Sequence, residues 1–208
     1  VHHADLIFNI GSRFDDRIVG RYDSFGENAK IVHVDIDSAE LGKLVTTDLP
    51  IHSDAKLFIQ QLLAHPHIHR LAVDSWRDRI KEWDQKNPYE ANPNGFTMRT
   101  VLADYREMIE ADPEQFIIVT DVGQHQMWSS LSCSVKSSVQ WLTSGGSGTM
   151  GFALPTAIGA AFANPDKTIL CISGDGGIQM NIQEFSVLAD YNLNVKVGIL
   201  NNSFLGMV

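Results

Sequence analysis

Residues 168–202, TILCISGDGGIQMNIQEFSVLADYNLNVKVGILNN, decide the fold. The stretch opens on the apolar run Thr168-Ile169-Leu170-Cys171-Ile172-Ser173, which reads as a buried strand and is closed by Gly174-Asp175-Gly176. The spacing then predicts a helix over 181–190, and a second apolar run at 195–200 ends at Asn201-Asn202. Strand, helix and strand in this order indicate βα units and a parallel sheet.

Working outward, the same alternation continues. An alanine-rich helix is predicted from Leu154 to Phe162, preceded by a glycine-rich loop at 145–151 and a short strand at 139–142. The run Phe116-Ile117-Ile118-Val119 leads into Thr120-Asp121-Val122-Gly123, and Met98, Val101, Leu102, Tyr105, Met108 and Ile109 recur at helical spacing. Nearer the start, Leu6-Ile7-Phe8-Asn9-Ile10 reads as a strand closed by Gly11, and residues 31–36 read as another. Residues 55–65 place Phe58, Ile59, Leu62 and Leu63 on one helical face. Between the two blocks, His65-Pro66-His67 and Asn87-Pro88, with Asn92-Pro93-Asn94-Gly95, bracket a polar helix around Trp76 and Trp83. The expectation is an α/β protein of two doubly wound parallel-sheet domains, 1–66 and 97–208, with 67–96 as the interdomain linker.

Composition narrows the function. The 208 residues are 44% hydrophobic and 20% charged, as in globular proteins, and a net charge of −9 argues against a nucleic-acid partner. No apolar run is long enough to span a membrane. Cys133 and Cys171 are too few for a disulfide framework, and Cys171, inside an apolar run, reads as a buried reduced thiol. His65, His67 and His69, interrupted by Pro66, read as a solvated linker rather than a metal site. Val1 is not an initiator methionine, and the chain stops soon after a buried-strand run, so the expectation is a fragment cut inside a domain.

Asp175 and Asn202 lie at the carboxyl ends of neighbouring strands, the rim where open α/β sheets bind ligands. A carboxylate and an amide oxygen suit magnesium, which prefers oxygen ligands shared with phosphate. Gly176 and Gly177 let a phosphate approach the backbone, and a following helix N-terminus favours its charge. Gly-Asp-Gly alone is a turn and Asn-Asn alone a loop. Together, with 25 residues between Gly176 and Asn202, they match the thiamine diphosphate motif.

Further segments resemble the FAD-containing acetolactate synthases: Thr120-Asp121-Val122-Gly123-Gln124-His125-Gln126-Met127-Trp128, the loop from Ser144 to Phe152, and Leu200 to Val208. The resemblance implies that Gly123, Gln124, His125, Gly148, Met150, Asp175, Gly176, Gly177 and Asn202 hold thiamine diphosphate. By the same resemblance, the Gly148 carbonyl and Met150 N–H meet the pyrimidine, and the Met150 side chain bends the cofactor. It also implies Mg2+ on Asp175, Asn202 and the Phe204 carbonyl, with the catalytic glutamate outside the chain. Ser147 stands where the family usually has Leu, and Gly177 where it often has Ser.

A second site is weaker by itself. Gly11-Ser12-Arg13-Phe14-Asp15-Asp16-Arg17-Ile18 follows a strand, with two arginines suited to a diphosphate. Asp35 ends the next strand, where dinucleotide folds meet a hydroxyl. The segment resembles the family's FAD loop, with Ser12 for Ala. The resemblance implies that Gly11, Ser12, Arg13, Asp15, Arg17, Ile18, Asp35, Ile36, Asp54 and Ala55 touch FAD. The implied activity is decarboxylation of pyruvate and carboligation to a second pyruvate or to 2-ketobutyrate, early in branched-chain amino-acid synthesis. It also implies a homodimer or homotetramer, a possible regulatory small subunit, and a cytoplasmic enzyme in bacteria or a plastid or mitochondrial one in eukaryotes. Two alternatives are another thiamine-dependent enzyme, such as glyoxylate carboligase or a 2-keto acid decarboxylase, and a non-catalytic nucleotide-binding module.

Overall fold

The computed structural model describes residues 1–66, 72–87, 95–133 and 139–208, with only the backbone at Arg17. His67 and His69, and the linker signals from Pro88 to Asn94, lie outside the described residues. The chain divides into two compact units, Val1–Ser75 and Trp76–Val208.

In the first unit, β1 (Leu6–Ile10), β2 (Lys30–Asp35) and β3 (Leu49–His52) form a parallel sheet in the order β1-β2-β3. Between the strands lies the single turn α1 (Asp16–Val19), and α2 (Ala55–Ala64) follows the last. The central strand is buried from Ile31 to Asp35. Phe14, Val19, Ile31 and Val45 make the core, with Ile7 and Phe25 packed on it. α2 is capped at its start by Asp54, whose carboxylate accepts the Leu57 N–H at 3.0 Å. Of its four apolar positions, Phe58 and Leu62 are half-buried, while Ile59 and Leu63 stay exposed.

α3 (Asp74–Lys86) is polar, with Trp76 edge-on to Trp83 at 5.7 Å and Arg79 stacked over Trp83. The second unit continues with α4 (Met98–Ala111), β4 (Phe116–Thr120), α5 (Gln124–Ser132), β5 (Gln140–Thr143) and α6 (Ala153–Ala163). β6 (Thr168–Gly174), α7 (Asp175–Gln179), a 3-10 turn (Ile182–Glu184), α8 (Phe185–Asp190) and β7 (Val195–Leu200) complete it. Its four strands are parallel in the order β5-β4-β6-β7.

Strand alternation sends β4 into two cores. Phe116 and Ile118 join Leu102 and Ile109 of α4 on one face, and Ile117 and Val119 join the alanines of α6 on the other. Small side chains on α6 are what let a helix lie close against this face. The chain leaves β4 for β5 on one side, then crosses to β6 on the other. That reversal opens a crevice at the carboxyl ends of β4 and β6, where ligands bind in this architecture.

Three elements depart from the sequence expectation. The helix expected over 181–190 is a 3-10 turn followed by the short α8. A separate helix, α7, starts directly at Asp175. β3 is an additional strand that holds Pro50, and proline is confined to edge strands such as this one.

Candidate functional site

The second unit's site is built around a residue that the sequence reading passed over. Asp121, at the carboxyl end of β4, is 1% exposed. Its Oδ1 accepts the Val122 N–H at 2.7 Å and the Gly151 N–H at 2.9 Å. Its Oδ2 accepts the Ser173 hydroxyl at 3.2 Å and the Ala153 N–H at 3.4 Å. One carboxylate therefore ties together the end of β4, the glycine loop, the first turn of α6 and the end of β6. A buried carboxylate is tolerated only with such a set of donors. The signal in the sequence was an acidic residue after the strand run Phe116-Ile117-Ile118-Val119-Thr120.

Asp121 also explains Gly177. A Cβ there would lie 2.8 Å from the Asp121 Cγ, so a side chain is excluded unless the carboxylate shifts. The Gly174-Asp175-Gly176-Gly177 turn is thus pressed onto the end of β4. Asp175 begins α7 and is half-buried. A Cβ on Gly176 would meet Leu205 Cδ2 at 2.8 Å and Met150 Cε at 3.4 Å. The structure thus brings Met150, Gly176 and the segment after Asn202 together. Within the glycine loop, Ser144 Oγ accepts the Thr149 N–H at 3.0 Å, and Asn181 Nδ2 donates to the Gly151 carbonyl at 2.7 Å. Gly148 holds a positive φ of 62°, which its loop conformation requires.

His125 lies in the first turn of α5 and is 5% exposed. Its ring fills the space beside Gly123 and Gly174: a Cβ on Gly174 would come within 2.9 Å of Nδ1. Burial lowers its pKa, while Asp121 and Asp175 pull weakly the other way, which keeps the imidazole neutral. Its buried Nε2 has no hydrogen-bond partner among the described residues. Just beyond β7, Asn202 Nδ2 donates to Gln124 Oε1 at 3.0 Å, and its Oδ1 accepts the Phe204 N–H at 3.1 Å. Asn202 is thereby oriented, with a lone pair left on its oxygen.

These features fit a magnesium–diphosphate group. Hard oxygen donors at Asp175 and Asn202 and glycines at 176 and 177 follow the ends of the paired strands β6 and β7, and His125, beside Gly174, has one imidazole nitrogen without a partner among the described residues. Gly123, Gly148, Met150, Asn202 and Phe204 lie in the loops that follow β4, β5 and β7, while Gln124 and His125 open α5 and Asp175, Gly176 and Gly177 open α7 directly after β6.

In the first unit, the expected flavin residues likewise follow three adjacent parallel strands. Gly11, with φ 68°, donates its N–H to the Val34 carbonyl at 2.8 Å as the chain leaves β1. The following loop is held by Asn9 Nδ2 donating to the Ser12 carbonyl. The Arg13 guanidinium lies 3.7 Å from the Asp15 carboxylate, and that carboxylate accepts the Ile18 N–H at 3.2 Å. Asp35 ends β2, with Oδ1 accepting the Asp37 N–H at 2.8 Å, and Ile36 is exposed beside it. Asp54 and Ala55 follow β3 at the start of α2. The Arg17 side chain lies outside the described residues.

Comparison with known proteins identifies both domains. The family description "Thiamine pyrophosphate enzyme, central domain" matches residues 1–62, and "Thiamine pyrophosphate enzyme, C-terminal TPP binding domain" matches residues 121–208. The acetolactate synthase large subunit of Lactococcus lactis is 44% identical over 99% of this chain and 35% of that protein. The acetolactate synthase isozyme 1 large subunit of Escherichia coli is 41% identical over 100% of the chain and 36% of that protein. The chloroplastic acetolactate synthase of Arabidopsis thaliana is 43% identical over 100% of the chain and 32% of that protein. The chain thus spans about a third of the length of the curated relatives it matches. Matched by both domain descriptions in their order along the chain, and similar throughout to acetolactate synthase large subunits, the chain belongs to the thiamine pyrophosphate enzymes.

Proposed function

We propose that this chain supplies the diphosphate- and metal-binding face, and part of a flavin-binding domain, of an acetolactate synthase. The reaction is decarboxylation of pyruvate and carboligation to a second 2-keto acid, pyruvate or 2-ketobutyrate. The observation that supports the proposal is the packing of the Asp175-Gly176-Gly177 turn, with Gly177 against the buried Asp121 and Gly176 beside Met150 and Leu205.

When bound, thiamine diphosphate supplies the carbanion chemistry that no side chain here provides. The protein's part is positioning. Asp175 and the Asn202 oxygen, with the Phe204 carbonyl, would hold Mg2+ against the diphosphate. The glycines at 176 and 177 would let a phosphate approach the backbone of this turn, and the neutral His125 would offer its Nε2 as a hydrogen-bond group. Met150, packed over Gly176, offers an apolar surface for the ring system. FAD would be held at the other unit by Gly11, Ser12, Arg13, Asp15, Arg17, Ile18, Asp35, Ile36, Asp54 and Ala55, in a role without net redox change. The names of several relatives include "large subunit", which supports a small-subunit partner for the full-length enzyme.

The test is titration of thiamine diphosphate into a full-length enzyme carrying this chain, with and without Mg2+. Asp175→Ala should abolish magnesium-dependent binding and acetolactate formation, because the bridging carboxylate is gone, and Asn202→Ala should act similarly but less severely. An Asp175→Ala variant that binds the cofactor with unchanged magnesium dependence would show the metal assignment to be wrong.

A further inference from the structure

We propose that His33 is a positioning residue for the dinucleotide rim of the first unit, steadying both Asp35 and the Arg13 loop. The proposal rests on the flavin reading of that rim. His33 sits mid-strand in β2 and is 0% exposed, yet neither ring nitrogen has a hydrogen-bond partner among the described residues. Leaving a polar group buried and unsatisfied is destabilising, because its hydrogen bonds to water are lost and not replaced. An apolar residue would pack here without that cost, so packing alone does not account for an imidazole.

Its surroundings show what the ring can do. Residues 33 and 35 share one face of β2 by strand alternation. His33 Nε2 lies 3.8 Å from Asp35 Oδ2, just beyond hydrogen-bond length. The other carboxylate oxygen is already engaged by the Asp37 N–H. A small rotation of Asp35, itself 8% exposed, brings Oδ2 within reach of an Nε2 proton. On its other side the His33 ring packs edge-on against Phe14, with centroids 4.9 Å apart. Phe14 directly follows Arg13, so one buried ring supports the loop that carries the guanidinium and the carboxylate at the end of the next strand. Held on both oxygens, Asp35 keeps its remaining lone pairs aimed in one direction, as recognition of a ribose or flavin hydroxyl requires.

The test uses a full-length enzyme carrying this chain, stripped of flavin and titrated with FAD by fluorescence quenching. Wild type is compared with His33→Phe, which keeps the ring packing, and His33→Gln, which restores a donor near the Nε2 position. His33→Phe should weaken FAD binding about tenfold, the worth of one hydrogen bond to a charged group, with the apoprotein unfolding at the wild-type temperature or above. His33→Gln should recover most of that loss. A His33→Phe variant that binds FAD like a flavin-binding wild type overturns the proposal alone. So does a loss that His33→Gln fails to recover and that tracks apoprotein stability. A wild-type protein that takes up no FAD while binding thiamine diphosphate removes the flavin reading, and this proposal with it.

Discussion

Cys171 lies in the middle of β6 and Cys133 at the end of α5, both fully enclosed. Burial pushes the Cys171 thiol up to about 12 and the Cys133 thiol up to about 11, from an ordinary value of 9.0. The charged form is the one penalised, so both thiols stay protonated and inert in the folded protein. The sign for stability follows from linkage. Above about pH 9 the unfolded chain has released thiol protons that the folded chain still holds, so stability is complete below that pH and falls as pH rises toward 11 and 12. The urea midpoint should therefore drop between pH 9 and 11, and the Cys133→Ala, Cys171→Ala double variant should show a shallower drop. Alkylation at pH 8 should modify neither thiol until denaturant is added. Rapid labelling of native protein would mean that one of these strands or helix ends opens far more easily than its packing implies.

At the scale of elements, Asp121 is the point where four segments meet. Asp121→Ala would strand four donors, three of them backbone N–H groups that cannot turn to solvent, each costing about 1–3 kcal/mol. Some relaxation is certain, so a loss of at least about 3 kcal/mol is expected, with weaker thiamine diphosphate binding as the glycine loop loosens. Asp121→Asn keeps the oxygen that Val122 and Gly151 use but presents a donor to Ala153, and should cost clearly less. Urea unfolding of both variants checks the order, and an alanine variant with the wild-type midpoint would remove Asp121 from the design. The sequence showed the strands of this region well: β1 and β7 have the expected bounds, and β4 and β6 differ by a residue, because continuous isoleucine and valine runs have one physical reading. It showed less where local and tertiary forces disagree. Two glycines argue against a helix at residues 175–179, yet α7 forms there because the turn is pinned against Asp121. The glycine-rich loops of the candidate site stand out in the sequence by their glycine spacing, whereas the carboxylate that ties them together was visible only as one acidic residue after a strand.

At the scale of the whole chain, each unit carries its own core. Phe14, Val19, Ile31 and Val45 pack in the first, and the two clusters around β4 and β6 use only residues of the second. A ligand held by one unit should therefore depend on that unit's side chains and not on the other's, and two substitutions, one in each, should add. Arg13 is a clean probe of this. Its side chain is 56% exposed and its guanidinium lies 3.7 Å from the Asp15 carboxylate, a surface pair worth little to stability. Arg13→Ala should leave the unfolding midpoint within about 0.5 kcal/mol of wild type. It should still weaken FAD retention, since an arginine contributes charge-assisted hydrogen bonds to a diphosphate. Thiamine diphosphate binding in the same variant should be unchanged, and the Arg13→Ala, Asp175→Ala pair should lose each cofactor by the amount of its single variant. Parallel titrations of the two cofactors measure this directly. If Arg13→Ala reduced thiamine diphosphate affinity as Asp175→Ala does, the two units would be energetically coupled, and the assignment of each cofactor to its own rim would have to be redrawn.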